Sequence, residues 1–154
     1  MNPAPVPAQA PAAPPLPLPS QDDRMMAAVA HLSFFVGFWL VGPIAFYVIK
    51  RRESRFVAFH AMQALVAHVL SMALGVVGLV AFVVGVGLAG VAAHAQREPV
   101  ALIGVLVMVL VFGAAGVGLA VVNAVAAYKA WVGEMWPIPL AGRIARGIMG
   151  ADVG

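Results

Sequence analysis

The sequence predicts an all-α integral membrane protein, a helical bundle with three transmembrane helices. Three observations predict it. The chain of 154 residues is 63% hydrophobic and only 10% charged, whereas soluble domains carry about 25% charged residues. Its mean hydropathy is +0.99, so a water-soluble fold would lack the polar surface to cover itself. Finally, Met25–Ile49, Phe56–Gln96 and Pro99–Tyr128 contain no Asp, Glu, Lys or Arg, and each exceeds the ~20 apolar residues that cross a bilayer.

Residues 1–23 form a Pro/Ala-rich tail, with Pro at 3, 5, 7, 11, 14, 15, 17 and 19. This spacing cannot hold a helix and favours extended, polyproline-like chain. It lacks the basic start and continuous apolar run of a cleavable signal peptide. Ser20 then offers a helix cap, and Asp22 and Asp23 suit the positive end of the helix dipole. The first span is expected over Met25–Ile49, with a kink at Gly42-Pro43.

The segment Lys50-Arg51-Arg52-Glu53-Ser54-Arg55 is the densest charge cluster in the chain. The uncharged stretch after it, Phe56–Gln96, has 41 residues. As one helix it would extend ~60 Å, twice the hydrocarbon thickness. Either an interfacial segment precedes the second span, or the stretch folds back around Gly75–Gly78 and makes four spans. Charge counting favours three. The side holding Lys50, Arg51, Arg52, Arg55, Lys129, Arg143 and Arg146 then has seven of the nine basic residues. Four spans would split them five to four. The positive-inside rule then places the C-terminus in the cytoplasm of a bacterial-type inner (plasma) membrane and the Pro-rich tail outside. The third span covers Val100–Tyr128, with Tyr128, Trp131 and Trp136 as an aromatic belt. Trp136-Pro137-Ile138-Pro139 ends regular helix, and Arg143 and Arg146 suit a short basic segment on the headgroups. The membrane domain is thus residues 24–147, followed by a C-terminal tail, 148–154.

Several function classes are excluded or disfavoured. There is no cysteine, hence no disulfide or thiolate chemistry. No paired carboxylate, Ser/His/Asp set or zinc-protease signature occurs, so no catalytic residue and no enzyme activity are expected. The glycines follow no strand and precede no phosphate-holding Lys, and no cofactor is expected. The net charge of +3 comes from the ends of apolar runs, which suits lipid headgroups and not nucleic acid. A metal centre from His31, His60 and His68 has no ligand motif behind it and is not expected.

Polar side chains at membrane depth are costly and tend to face a bundle interior. At 100° per residue, His60, Ala64, Ala67, His68, Ser71, Gly75 and Gly78 share one sector of the second span. This small, polar stripe suits helix packing through Ala64, His68, Ser71 and Gly75. On the third span, Gly113, Gly116, Ala120, Ala124 and Ala127 form a similar small-residue face, with Asn123 at its edge; Gly116, Ala120 and Ala124 repeat at four-residue spacing and suit docking on the second span or on a second copy.

The segment Glu53-Ser54-Arg55-Phe56-Val57-Ala58-Phe59-His60-Ala61-Met62-Gln63-Ala64-Leu65 carries a recognisable pattern: a charged loop, Ser, Phe-Val, His, Gln and Ala-Leu. With Ala30-His31-Leu32-Ser33 and the ending Gly133-Glu134-Met135-Trp136-Pro137, it resembles small bacterial membrane proteins of a Tic-twenty-like family of unknown function, related to the chloroplast inner-envelope import component. The resemblance spans residues 24–147 and implies four spans and a translocon-like role. In physical terms, Ser54 can cap the second helix while Phe56, Val57 and Phe59 embed its first turn at the interface. His60 and Gln63 can bond to the first span, or bind a lipid headgroup beside Arg51 and Arg52.

The expected role is a non-enzymatic scaffold or subunit that packs against membrane-protein partners or itself in the lipid bilayer. Two alternatives stand beside it. A conducting component predicts a water-accessible stripe along His60, His68 and Ser71, whereas a scaffold predicts that stripe dry. A lipid-binding envelope accessory protein predicts headgroup binding that depends on Arg51 and Arg52.

Overall fold

The computed structural model describes residues 18–94 and 98–150, and it is all-helical: α1 (Gln21–Leu32), α2 (Val41–Lys50), α3 (Arg55–His94), α4 (Glu98–Trp131) and α5 (Ala141–Met149). The polyproline reading of residues 1–17 lies outside the described residues, as do residues 151–154 of the C-terminal tail. The expected cap of α1 is present, with the Asp23 amide donating to Ser20 Oγ at 3.1 Å.

The expected first span does not cross as one helix. Residues 33–40 break it, and α1 and α2 form an antiparallel hairpin. Gly42 abuts Ser33 so closely that a Cβ there would lie 3.0 Å from Ser33 Cβ. Phe46 packs back on Ala27 and Ala28. The Glu53 carboxylate holds the Lys50 ammonium above its ordinary range, and Asp23 and Asp22 add to this from the start of α1. The break has local causes. Gly37 adopts φ +81°, in the left-handed region. Ser33 Oγ donates to the Ala30 carbonyl at 2.8 Å, and the Phe34 ring stacks on Trp39 at 6.2 Å. Pro43 causes no kink; it sits in the first turn of α2, where its missing N–H is not needed.

Among the described residues two helices, not three, are long and apolar enough to cross a membrane: Arg55–Val91 and Leu102–Trp131. The fold-back at Gly75–Gly78 does not occur, because α3 runs unbroken for 40 residues. Its first turns pack against protein. Phe56, Val57 and Phe59 are buried against protein: Phe56 and Val57 meet Ala27 and Ala130, and Phe59 meets Ala145 and Tyr47. The hairpin of α1 and α2 runs beside α3 as far as His68, where Trp39 touches it, thirteen residues in, or about 20 Å of helix rise.

This arrangement returns the chain to the end at which it entered. Arg24 lies against Gly133, just beyond α4. Arg24, Lys50, Arg51, Arg52, Arg55, Lys129, Arg143 and Arg146 therefore gather at one end, eight of the nine basic residues. Arg97 falls outside the described residues. The start of the described chain thus shares a side with its C-terminal helix, contrary to the three-span topology, and the charge bias is stronger than that topology gave.

The core at this end is built on alanine. Ala27, Ala30, Ala61, Ala64, Ala126 and Ala130 are buried, which lets helix backbones approach closely. Farther along, α3 and α4 pack without α1 and α2. Phe112 fills the space over Gly78, and the Met108 methyl fills that over Gly85. Their outer faces expose Val76, Val77, Leu79, Leu102, Ile103 and Leu106, as a lipid-facing surface requires.

Helix α4 ends by capping its own carbonyls. The Gly133 amide donates to Ala130 O at 3.0 Å and the Glu134 amide to Lys129 O at 2.9 Å, with Gly133 at φ +86°. This is a Schellman turn. A Cβ at Gly133 would also lie 3.2 Å from the Arg24 Cδ. Gly133→Ala is therefore expected to destabilise the protein by about 1–2 kcal/mol, read as a lowered midpoint of denaturation in detergent. Gly118→Ala, within α4 and with open space around it, serves as the control and should be neutral or slightly stabilising.

Candidate functional site

The polar side chains of α3 meet at the basic end of the bundle, inside the protein. Ser54 caps α3, its Oγ accepting from the Val57 amide at 3.3 Å. One turn on, His60 Nε2 donates to the Glu134 carbonyl at 3.0 Å. A carbonyl can only accept, so this bond fixes the tautomer and leaves His60 Nδ1 as an acceptor. It takes the proton of His31 Nε2 at 3.3 Å, tying α1 to α3. The two rings meet edge to face, with centroids 5.6 Å apart.

Gln63 is fully buried and uses both ends of its amide. Nε2 donates to the Trp136 carbonyl at 3.1 Å, and Oε1 accepts from the Ile138 amide at 3.0 Å. These bonds clamp the irregular backbone on either side of Pro137. Gly142, at the start of α5, closes over the clamp; a Cβ there would lie 2.7 Å from Gln63 Oε1 and 2.8 Å from Pro137 Cβ. Farther along α3, His68 Nδ1 donates to the Trp39 carbonyl in the turn between α1 and α2. His60, Gln63 and His68 thus satisfy backbone groups of two irregular segments that pack on α3 while most of their side chains stay exposed.

The expected site residues divide accordingly. Ser54, Phe56, His60, Gln63, Ala64 and His68 come together in this buried region, while Arg51 and Arg52 are exposed on the loop outside it. His60 and Gln63 face protein, and His60 makes one of its two expected contacts, a bond to the first apolar stretch through His31. Ser71 is half-buried and donates to the Ala67 carbonyl at 2.7 Å. Gly75 packs against no other helix, having nothing within 4 Å of its Cβ position. Ser71, Gly75 and Gly116 instead line an apolar groove of about 610 Å³ with Trp39, Phe112 and Leu119.

The small-residue face of α4 also differs from expectation. Gly116 and Ala124 are exposed and Ala120 half-exposed, whereas Asn123, Ala126, Ala127 and Ala130 are buried. The latter set docks on the rest of the bundle; Gly116, in line with it, opens into the groove, and Ala120 and Ala124 lie along its edge. Sequence reasoning missed Gly142 and the partners of the clamp, because backbone carbonyls at 39, 134 and 136 have no sequence signature. Among the described residues, no three His, Cys, Asp or Glu side chains form a metal-holding group, so His31, His60 and His68 do not make a three-histidine centre.

Two substitutions test the clamp. Gln63→Leu keeps the volume but strands the Ile138 amide, a loss of about 1–3 kcal/mol. Gly142→Ala crowds Gln63 and Pro137 and costs a similar amount. Both should lower the denaturation midpoint, and combined they should fall short of additive because they disturb one contact.

Comparison with known proteins then places the chain. Residues 22–145 match the family described as the magnetosome magnetite crystal formation protein family, MamF/MmsF. No curated protein and no solved structure matches. The match overturns the Tic-twenty-like resemblance, and the translocon-like role it implied falls with it. The Phe-Val, His and Gln-Ala-Leu pattern that carried the resemblance serves the packing and the clamp described above. With 124 of its 154 residues (22 through 145) inside the matched region, the chain belongs to the MamF/MmsF family of magnetosome magnetite crystal formation proteins.

Proposed function

We propose that this protein is a non-enzymatic subunit of the membrane in which magnetite crystals form, acting through helix packing with other membrane proteins or with further copies of itself. The observation that carries this reading is the division of α4 into two faces. Asn123, Ala126, Ala127 and Ala130 are used inside the fold, while Ala120 is half-exposed and Ala124 exposed along the edge of that strip. Small residues at this spacing allow another helix to approach closely within lipid.

The burial of His60 and His68 supports the same reading. His60 and His68 are 0% and 1% exposed, and dry positions suit a scaffold better than a water-filled path. No catalytic constellation is offered by the residues described. The gathering of eight basic residues at one end supports a cytoplasmic position for that end, including the start of α1 and all of α5. Arg143 and Arg146 point outward on α5 beside Ile144 and Ile148, a pattern suited to anionic headgroups at that surface.

The test is photo-crosslinking in native membranes from a probe at position 124, with a probe at position 63 as the internal control. A discrete adduct with a second copy or another membrane protein is expected from 124, and only intramolecular adducts from 63. Lipid adducts alone from 124 would contradict the proposal.

A further inference from the structure

The three shorter helices all lie at one end of the two long ones. From the basic end, α1 and α2 flank α3 and α4 as far as His68, where Trp39 touches it. Residues 132–140 and α5 flank the same stretch, with Ile138 against Ala67 and Ala145 against Phe59 and Met62. Beyond His68 only α3 and α4 continue, and the groove between them opens over Gly75 and Gly116. We infer that the protein is a wedge that prefers curved membrane, with its basic end on the convex face.

Two observations confine the α1–α2 hairpin to one leaflet. Its ends are charged: Asp22, Asp23 and Arg24 begin α1, and Lys50 closes α2, so both ends stay at the headgroups. Its tip is apolar and uncovered by protein, with Phe35, Val36, Phe38 and Trp39 between 46% and 66% exposed, so the tip stays in hydrocarbon. The ten residues of α2 rise about 15 Å, half of the ~30 Å hydrocarbon core. The hairpin therefore reaches the midplane and turns back.

A helix with its side chains is about 10 Å across and takes roughly 100 Å2 of membrane area. The leaflet at the basic end holds α1, α2, α3 and α4, about 400 Å2 of protein, against about 200 Å2 for α3 and α4 in the other. Nothing stands within 4 Å of a Cβ at Gly75 or Gly116, so acyl chains fill the groove there and add no protein width. Unequal areas in two coupled leaflets are relieved by bending, convex on the fuller side. Mismatch in length sorts spanning helices by bilayer thickness; mismatch in width sorts them by curvature. The inference rests on the hairpin and not on the packing role proposed above, and copies assembled in one orientation each bring the same imbalance.

The test reconstitutes the full chain, carrying Gly147→Cys, at low density into neutral phospholipid vesicles of widely varied diameter. Gly147 is exposed with open space around it, so a dye there leaves the fold intact. An impermeant maleimide dye added outside counts molecules with the basic end outward, and a second dye, added after the vesicles are opened, counts the rest. Read vesicle by vesicle, protein per unit area should rise as diameter falls. The outward share should shift from an even split in the largest vesicles to a large majority in the smallest. Ile144→Ser combined with Ile148→Ser strips the exposed apolar side chains of α5 and should leave both trends in place. A chain with Gln21→Cys should label from the same side as Gly147→Cys. Density or orientation independent of diameter would overturn the inference, as would a basic end turned inward in small vesicles. Loss of the trends in the α5 variant would also overturn it, by assigning the preference to an amphipathic helix. So would labelling of position 21 from the opposite side, which would remove the hairpin itself.

Discussion

Irregular backbone packed on an apolar helix must find hydrogen bonds, because neither lipid nor alkyl side chains can supply them. This chain contains two such segments, residues 33–40 and 132–140, and both depend on α3. His68 binds the first through the Trp39 carbonyl; His60 and Gln63 bind the second through Glu134, Trp136 and Ile138. The turn at 33–40 lets α1 and α2 return to the basic end, and the segment at 132–140 carries α5 onto α3. The arrangement of the shorter helices therefore follows from three side chains on one helix.

Much of this organisation is legible in the sequence. The caps at Ser20 and Ser54 are, as are the approximate extent of α4 and the polar stripe from His60 to Ser71; the unbroken course of α3 is not. The break in the first apolar stretch is not, for a physical reason. Hydropathy measures whether a segment tolerates lipid, and a hairpin buried beside two spanning helices tolerates it as well as a crossing helix does. Gly42-Pro43 drew attention as the expected distortion, yet proline suits the first turn of a helix and α2 begins there. The left-handed turn at Gly37, six residues earlier, reverses the chain.

The face of α4 carries a similar ambiguity. Gly116, Ala120 and Ala124 form a small-residue row, and Asn123, Ala126, Ala127 and Ala130 form another that overlaps it at Gly116. Spacing alone cannot say which row docks inside. Burial of Asn123 decides it, since an amide gains more from a protein interior with polar partners than from lipid. The consequence is a bundle with two distinct parts: a polar, clamped base of five helices, and a longer apolar pair with an unused packing face. Membership in a family concerned with crystal formation gives that face a context in which contacts between membrane proteins matter.

The two-span arrangement with α1 and α2 as a returning hairpin is the claim on which the rest stands. It is tested most directly by cysteine labelling from each side of the membrane, on a chain that has no cysteine of its own. Single cysteines replacing Gln21, Arg52 and Gly147 should all react with a membrane-impermeant maleimide from the same side. Reaction of the cysteine at position 21 from the side opposite to 52 and 147 would mean that the first apolar stretch crosses the bilayer, and would contradict the hairpin.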